Sequence, residues 1–321
     1  MNMTQGCTAI LILTYNTSAD TINCIRSIEA YNSAPVKFIV VDNGSTDKKE
    51  VDLLDSFFSE SGRPYLRLED SSTPTGELSY YTFLASSKND GYARGNNKGL
   101  NLAYGDPSIQ NILVLNSDVL FTEDILPTLI DFQQKQSACG FVTPLVVTRK
   151  GDVDHCCARK AITNWEIIRI FVLFDRDILH SLSRIFRRQR ILLNNPEYLN
   201  LPSFPVDMPS GACMLIDKHL FQHIGSFDPG TFLYYEENIL YKKLHSISRS
   251  SHCVPSVRCT HLGAGSTQSI HSRFLQRCNL ESADHYLTNY GDMSLLQRLV
   301  WSSAKAAWQL KFRIAESRKA N

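Results

Sequence analysis

The feature that most constrains the fold of this chain is a predicted buried strand that ends abruptly in polar side chains. Residues 112–115 read Ile-Leu-Val-Leu, and Asn116, Ser117 and Asp118 follow directly. Such an apolar run predicts a strand that is buried on both faces, as in a parallel sheet. Open α/β sheets bind ligands at the carboxyl ends of their strands, where a carboxylate suits Mg²⁺ or Mn²⁺. Asp118 is therefore a candidate metal ligand; alternatively, the three residues cap a helix over 122–135.

The alternation of strand and helix patterns predicts the fold. Apolar runs at 8–13 and 36–41 predict strands, and a helical stripe at 19–31 lies between them. This order implies a right-handed parallel crossover. The alternation stops near residue 150, and a long helix over 164–193 and two helices near the C terminus are predicted beyond it. We therefore expect an α/β fold with a mainly parallel central sheet flanked by helices.

Composition narrows the functional class. The chain has 321 residues and a net charge of +1, so no overall positive field attracts nucleic acid. Its nine cysteines form no Cys-x-x-Cys pair, which favours reduced thiols in a cytosolic protein. No uncharged apolar stretch is long enough to predict a transmembrane helix, and the N terminus does not resemble a secretory signal. These features lead us to expect a cytoplasmic protein.

Polar residues also follow the first two predicted strands. Thr14, Tyr15 and Asn16 follow the first strand, and Asp42 ends the second. No glycine-rich dinucleotide or P-loop motif is present, which disfavours dehydrogenases and P-loop nucleotidases. Asp42 can accept hydrogen bonds from a nucleobase or a ribose, although an Asp-Asn-Gly sequence also makes an ordinary turn.

Two further segments carry groups that suit catalysis or anion binding. Gly91, Gly95, Asn96 and Asn97 lie around a predicted helix start, where backbone N–H groups suit a diphosphate; such a segment also occurs without any ligand. Aromatic residues precede Glu236 and Glu237, and a carboxylate near apolar rings can act as a general base. Alternatively, this acidic pair compensates a helix dipole. Residues 261–266 predict a glycine-rich loop that begins with His261, and a lone histidine is more often structural.

Taken in order, these segments resemble the inverting family 2 glycosyltransferases of the GT-A fold, with a particular likeness to bacterial rhamnosyltransferases and O-antigen or capsule enzymes. The matching segments lie at residues 13–16, 40–47, 89–97, 115–118, 209–213, 225–229 and 232–240. The resemblance implies a catalytic domain over 1–266 and a helical extension over 267–321. Within that domain, residues 1–120 would form the nucleotide-sugar-binding half and 121–266 the acceptor half.

The resemblance also implies roles for individual residues. The nucleobase would be held by Thr14, Tyr15, Asn16 and Asp42. The ribose and diphosphate would border Gly91, Gly95, Asn96 and Asn97. The acceptor side would include Ser210 and Gly211. Asn116 takes the place of the first carboxylate of the family's Asp-x-Asp motif, so Asp118 would be the direct ligand for Mg²⁺ or Mn²⁺. His261 resembles a histidine that supplies a second metal ligand in some members of the family.

Glu236 and Glu237 stand where the family has its catalytic Glu-Asp pair, and the second position, Glu237, is the expected base. A second Asp often follows two places later in the family, whereas this chain has Ile239. The implied reaction moves a sugar from a nucleotide-diphospho-sugar to a hydroxyl of a glycan or lipid-linked acceptor in cell-surface polysaccharide synthesis. The expected donor is dTDP-rhamnose, and UDP-hexoses remain open.

Two other functions compete with this interpretation. Asn116 and Ile239 favour a non-catalytic nucleotide-sugar-binding relative, and the retained Asp118, Glu237 and His261 argue against it. A nucleotidyltransferase would need a loop rich in glycine and basic residues after the first strand, and residues 14–16 supply none.

Two segments mix aromatic and basic residues in the pattern of an interfacial helix. They lie at 167–193 and 295–319, and the second carries Trp301, Trp308 and Phe312. Such helices bind anionic membrane surfaces through aromatic and basic side chains. They therefore predict peripheral membrane contact. The resemblance to enzymes with lipid-linked acceptors implies that this contact is with the inner face of the cytoplasmic membrane. The alternative is that both helices pack on the catalytic domain and that their basic residues are simply solvated.

Overall fold

The computed structural model describes residues 6–70, 76–173, 191–263 and 272–320. Over these residues, ten strands form one mixed sheet and two short strands form a second. No helix in the described ranges is long and apolar enough to cross a membrane.

The first half of the chain forms a parallel sheet with helical crossovers. Its strands are β1 (Cys7–Thr14), β2 (Val36–Asp42), β3 (Tyr65–Glu69), β4 (Tyr81–Ala85) and β5 (Ile109–Asn116). Its helices are α1 (Ser18–Tyr31), α2 (Lys48–Ser59) and α3 (Gly91–Gly105). The strands pair in parallel in the order β3-β4-β2-β1-β5, so their carboxyl ends lie at one edge of the sheet. This confirms the predicted α/β fold.

The second half adds antiparallel pairs to that sheet. Its strands are β6 (Val119–Phe121), β7 (Cys139–Thr148), β8 (Ala158–Arg159), β9 (Phe204–Val206), β10 (Met208–Pro209), β11 (Cys213–Asp217) and β12 (Ser250–His261). Strand β11 runs antiparallel to both β5 and β7, whereas β12 is parallel to β7 and antiparallel to β6. The pair β8–β10 forms the separate small sheet.

Six helices complete the described part of this half: α4 (Leu126–Lys135), α5 (Asn164–Leu173), α6 (Lys218–His223), α7 (Glu236–Ser246), α8 (Ser272–Asn289) and α9 (Leu295–Ala320). Apolar side chains cover both faces of the main sheet. On β1, Ile10 and Ile12 join one core cluster, whereas Ala9 and Leu11 join another. Because successive side chains of a strand point to opposite faces, such a strand needs apolar residues at every position.

The interpretation of residues 116–118 as a helix cap is wrong. The helix predicted over 122–135 begins at Leu126, and the residue before it is Ile125, whose side chain makes no capping bond. Strand β6 lies between the polar residues and this helix because Val119–Phe121 pairs with β12. The polar turn after β5 therefore joins two strands.

Two further predictions are corrected. The helix predicted over 164–193 is described only over Asn164–Leu173, because residues 174–190 lie outside the described ranges. It does not extend to residue 193, since Leu192–Asn194 form a 3₁₀ turn after a bridge between Ile191 and Arg159. His261 was expected in a loop, but it is the last residue of β12. The long pairing of β12 with β7 holds it there.

The C-terminal helices pack on α5 and α7 through a third apolar cluster. This cluster joins Ile167 of α5, Ile239 of α7, Tyr286 of α8 and Trp301 of α9. Trp301, Trp308 and Phe312 are buried in it. The predicted interfacial helix over 295–319 requires these aromatic side chains to face outward. They face the interior of the protein instead. The alternative interpretation, that this helix packs on the domain, is correct for its aromatic residues.

Candidate active site

A cleft of about 380 Å³ brings together segments that are far apart in the sequence. The predicted site residues that line it are Thr14, Tyr15, Gly91, Asn116, Asp118, Ser210, Gly211, Glu236, Glu237 and His261. Two of these residues lie at the carboxyl-terminal ends of parallel strands: Thr14 ends β1 and Asn116 ends β5. The cleft thus lies where an open α/β sheet places its ligands.

Asn16 and Asp42 do not line the cleft but shape the turns beside it. Asp42 is buried, and its carboxylate accepts hydrogen bonds from the backbone N–H of Ser45, at 3.1 Å, and from the Ser45 hydroxyl. Burial raises the pKa of Asp42 above its usual range, although these hydrogen bonds act to lower it. Asn16 has φ +53°, and its side-chain oxygen accepts from the Thr46 N–H at 2.9 Å.

Gly95, Asn96 and Asn97 also lie outside the cleft lining. The side-chain amide of Asn97 exchanges two hydrogen bonds with the backbone of Phe227, at 2.9 and 3.2 Å. Asn96 is buried and donates to the carbonyl of Tyr92 at 2.9 Å. Gly95 lies against Leu13, since a Cβ there would come within 2.7 Å of its side chain. These contacts position α3, and a direct role in donor binding stays a prediction for all three residues.

Asp118 carries an unpaired oxygen in the wall of the cleft. Its side chain is only 3% exposed, and Oδ1 lies 3.4 Å from Nε2 of His261. Oδ2 is buried and has no hydrogen-bond partner among the described residues. A buried carboxylate oxygen without a partner is costly, and a bound cation would satisfy it. Carboxylate oxygen and imidazole nitrogen are suitable ligands for a divalent ion such as Mn²⁺, so these residues fit a metal site.

Asp154, which the sequence analysis missed, holds His261 in place. The carboxylate is buried, and Oδ2 lies 2.8 Å from Nδ1 of His261, while Oδ1 accepts from the N–H of Cys156 at 2.8 Å. Burial opposes a charged imidazole, but Asp118 and Asp154 raise the pKa of His261 to about 10. Because Asp154 engages Nδ1, Nε2 is the ring nitrogen that faces Asp118. A carboxylate behind a histidine ligand is the usual outer-shell arrangement at metal sites.

The two adjacent glutamates occupy different environments. Glu236 is buried and accepts a hydrogen bond from Thr231 at 3.1 Å; burial and the charge of Glu237 raise its pKa to about 8. Glu237 has a quarter of its side chain exposed and reaches the cleft. Its Oε1 lies 3.8 Å from Nη2 of Arg159, a second residue that the sequence analysis missed. Glu237 is thus the more accessible carboxylate of the pair.

Gly211 makes room for Glu237. A Cβ at position 211 would lie 2.4 Å from Oε1 of Glu237, so only glycine allows the carboxylate to approach this backbone. The hydroxyl of Tyr92 donates to the Gly211 carbonyl at 3.1 Å and fixes this segment. Gly91 has φ +81° and lies against the carbonyl of Phe232, where a Cβ would approach to 2.4 Å.

The family follows from comparison with known proteins. Residues 9–225, more than half of the chain, match Glycosyl transferase family 2, so the chain belongs to this family. It is an enzyme, a glycosyltransferase.

Two relatives are similar over much of this chain. Over 71% of its own length, this chain is 23% identical to the low-salt glycan biosynthesis hexosyltransferase Agl10 of Haloferax volcanii. The match spans 58% of Agl10, which is less than two thirds of that protein. It is 25% identical to the N-acetylglucosaminyl-diphospho-decaprenol L-rhamnosyltransferase of Mycobacterium tuberculosis, over 80% of this chain and 76% of that one.

Two solved structures share the GT-A fold. GalNAc-T7 with UDP, GalNAc and Mn²⁺ superposes with a TM-score of 0.57 at 12% identity, over 94% of this chain and 55% of that chain. The mannosyltransferase PcManGT of Pyrobaculum calidifontis, in complex with GDP-Man and Mn²⁺, gives a TM-score of 0.50 at 13% identity, over 95% and 74%.

Replacing Gly211 by alanine tests whether the close approach of Glu237 matters. The new methyl group would meet the end of a flexible side chain, so it should displace the carboxylate while the fold persists. We expect kcat to fall by about tenfold or more, since a misplacement of about 1 Å is costly in catalysis. Steady-state kinetics and a thermal unfolding curve measure the two effects. A Gly211→Ala enzyme with undiminished kcat would contradict this role.

Proposed function

We propose that this chain transfers a sugar from a nucleotide-diphospho-sugar to a hydroxyl group of a glycan or lipid-linked acceptor, with inversion at the anomeric carbon. The observation that carries the proposal is that one cleft holds two different carboxylates. One is buried and has an unpaired oxygen, and the other is accessible. The first is Asp118 beside His261, and the second is Glu237 beside the buried Glu236. A cation site and a general base are the two parts that such a displacement needs.

Asp118 and His261 would hold Mg²⁺ or Mn²⁺, with Asn116 in the adjoining wall. When bound, the cation supplies positive charge that stabilises the departing nucleoside diphosphate. The Mn²⁺ ions named with the two similar structures support this assignment. Asn116 contributes an amide where the family's motif has a carboxylate, so the site offers one negative charge fewer.

Glu237 would remove the proton from the acceptor hydroxyl as that oxygen attacks the anomeric carbon. The raised pKa of Glu236 keeps a proton on that neighbour near neutral pH, so the pair does not carry two full negative charges. Arg159 places a positive charge 3.8 Å from Oε1 of Glu237. Attack on the face opposite the leaving group inverts the anomeric centre in a single displacement.

Donor and acceptor identities are also part of the proposal. Thr14 and Tyr15 line the cleft beside the turns shaped by Asn16 and Asp42, and there we place the nucleobase. Gly91 would border the diphosphate, and Ser210 and Gly211 the acceptor. The similarity to a rhamnosyltransferase favours dTDP-rhamnose, and the similarity to a hexosyltransferase keeps UDP-hexoses as the alternative donors.

The decisive experiment incubates the purified chain with Mn²⁺, one donor and one acceptor. The donors are dTDP-rhamnose and UDP-hexoses, and the acceptors are octyl pyranosides and N-acetylglucosaminyl-diphospho-lipids. Glu237→Gln keeps the shape of the side chain and removes proton acceptance, so kcat should fall by about 10²–10⁴-fold while donor KM changes little. Glu236→Gln is the matched control and should be milder, because it resembles the protonated form of that residue.

Each result of this experiment assigns a function. Acceptor-dependent release of nucleoside diphosphate supports transfer. In a parallel incubation with a nucleoside triphosphate and a sugar 1-phosphate, release of pyrophosphate would identify a nucleotidyltransferase. Donor binding without turnover in any combination would identify a non-catalytic relative. A larger loss in Glu236→Gln than in Glu237→Gln would reverse the assignment of the base.

We further propose that residues 1–266 form the catalytic domain, with 267–321 as a helical extension that attaches peripherally to the cytoplasmic face of the membrane. The support is a group of leucines at the start of α9: Leu295, Leu296 and Leu299 are 76%, 60% and 61% exposed. Leu299 lies one helical turn after Leu295 and Leu296, so the three share one side of the helix, next to Arg298. Apolar and basic side chains together suit an anionic lipid surface.

Replacing these three leucines by serine tests the attachment without disturbing the buried aromatic cluster. Co-sedimentation with vesicles that contain anionic lipid should be reduced in the triple variant. Leu53→Ser is the control, because Leu53 is 47% exposed on α2 at a distance in the sequence from these helices. Equal sedimentation of the triple variant and the wild type would exclude the leucines from membrane contact, and sedimentation of neither at low salt would refute membrane attachment.

A further inference from the structure

We propose that Tyr234 is a stacking platform for the acceptor sugar and that the backbone before Glu236 is held in a strained form to present its ring. The inference rests on the proposed function, because it places the acceptor beside Glu237. It concerns a residue to which the sequence analysis gave no role of its own.

The backbone at this point is unusual. Tyr234 has φ +79° and Tyr235 has φ +71°, so two consecutive tyrosines adopt the left-handed region. For residues with a Cβ this region is disfavoured, and large side chains are uncommon there. Such conformations persist only where the surrounding structure enforces them, and they concentrate at functional sites. The turn ends at Glu236, the first residue of α7.

Contacts from the C-terminal half enforce the turn. The ring of Tyr235 stacks on that of the buried Tyr286 in α8, with ring centroids 5.7 Å apart and an interplanar angle of 29°. The hydroxyl of Ser282, also in α8, donates to the carbonyl of Leu233 at 2.9 Å. The carbonyl of Tyr235 accepts from the N–H of Ile239 at 3.0 Å. Tyr235 is thus directed into the third apolar cluster, and its packing accounts for half of the turn.

Tyr234 is different, because core packing does not account for it. Its side chain is 37% exposed and lines the cleft with Glu236 and Glu237. Partial burial, with the nearby Cys278 and Glu236, raises the pKa of its hydroxyl, so the phenol is uncharged at neutral pH. Glycine would fit this backbone without strain, yet the chain places a large aromatic ring here, three residues before Glu237.

An exposed ring beside the base suits one class of ligand. The face of an aromatic ring carries partial negative charge, and the C–H bonds on one face of a pyranose carry partial positive charge, so the two stack. A sugar on Tyr234 would lie within reach of Glu237, which needs contact with the acceptor hydroxyl. Phe232, also in the cleft lining, packs edge-on against the exposed Phe274, with centroids 5.5 Å apart, and extends the apolar wall. The ligand class is therefore a pyranose acceptor.

Thermal unfolding of Tyr234→Gly and Tyr234→Ala tests the strain. Both variants lack the ring, and they differ in the Cβ that the left-handed backbone disfavours. We expect the melting temperature of Tyr234→Gly to exceed that of Tyr234→Ala by about 2–4 °C. Tyr31, 49% exposed at the end of α1, is the matched control, because glycine should give no gain over alanine in a right-handed helix. Equal melting temperatures of the two Tyr234 variants would overturn the strain argument.

Acceptor kinetics test the platform. With octyl pyranosides as probes, Tyr234→Phe and Tyr234→Trp should keep the acceptor KM, because they retain the ring face. Tyr234→Ala should raise the acceptor KM by about tenfold while the donor KM stays within error. A structural role alone would move both constants or only the melting temperature. An unchanged acceptor KM, or a change in donor KM alone, would overturn the proposal.

Binding of the same probes without donor separates this inference from the proposed function. We expect NMR saturation transfer to an octyl pyranoside from the wild type and Tyr234→Phe, and a loss of transfer in Tyr234→Ala. If this pattern appears although no sugar is transferred, the platform stands and the proposed reaction fails. Absence of saturation transfer from the wild type to every probe would overturn the platform.

Discussion

The position of His261 between two buried carboxylates is the contact on which the rest of the cleft depends. Pairing of β12 with β6 brings His261 opposite Val119, and the N–H of Leu262 donates to the Asp118 carbonyl at 2.9 Å. Asp154, in the connection between β7 and β8, closes the arrangement from the far side of the imidazole. Three separate chain segments are thereby fixed around one polar group, and Oδ2 of Asp118 stays buried without a hydrogen-bond partner among the described residues.

The C-terminal helices complete the other part of the site. Where the family often has a second Asp, this chain has Ile239, and its buried side chain joins the apolar cluster of α5, α8 and α9. The helix that carries Glu237 is therefore anchored by apolar packing on one side, while Glu237 itself faces the cleft. The loss of a polar residue at 239 is compatible with catalysis because that position supports α7 and does not line the cleft.

Local patterns were sufficient to single out polar residues that directly follow an apolar or aromatic run. The apolar run before Asn116 and the aromatic run before Glu236 are contiguous in sequence, so their polar ends could be recognised. Asp154 and Arg159 were missed because nothing near them in the sequence indicates a contact with His261 or Glu237. Both contacts join residues that lie more than 70 positions apart along the chain. The cap interpretation of Asp118 failed for the same reason, since β6 is too short to be recognised without its partner β12.

Direct titration with Mn²⁺, followed by electron paramagnetic resonance without any sugar nucleotide, tests the central claim that Asp118 and His261 form a cation site. The wild type should bind the ion, Asp118→Asn should lose binding, and Asp154→Asn should weaken it by about 10–100-fold through His261. His155→Ala is the control, because this side chain is 80% exposed beside Asp154, and it should bind as the wild type does. A wild type that binds no Mn²⁺, or an Asp118→Asn variant that binds it equally well, would contradict the account.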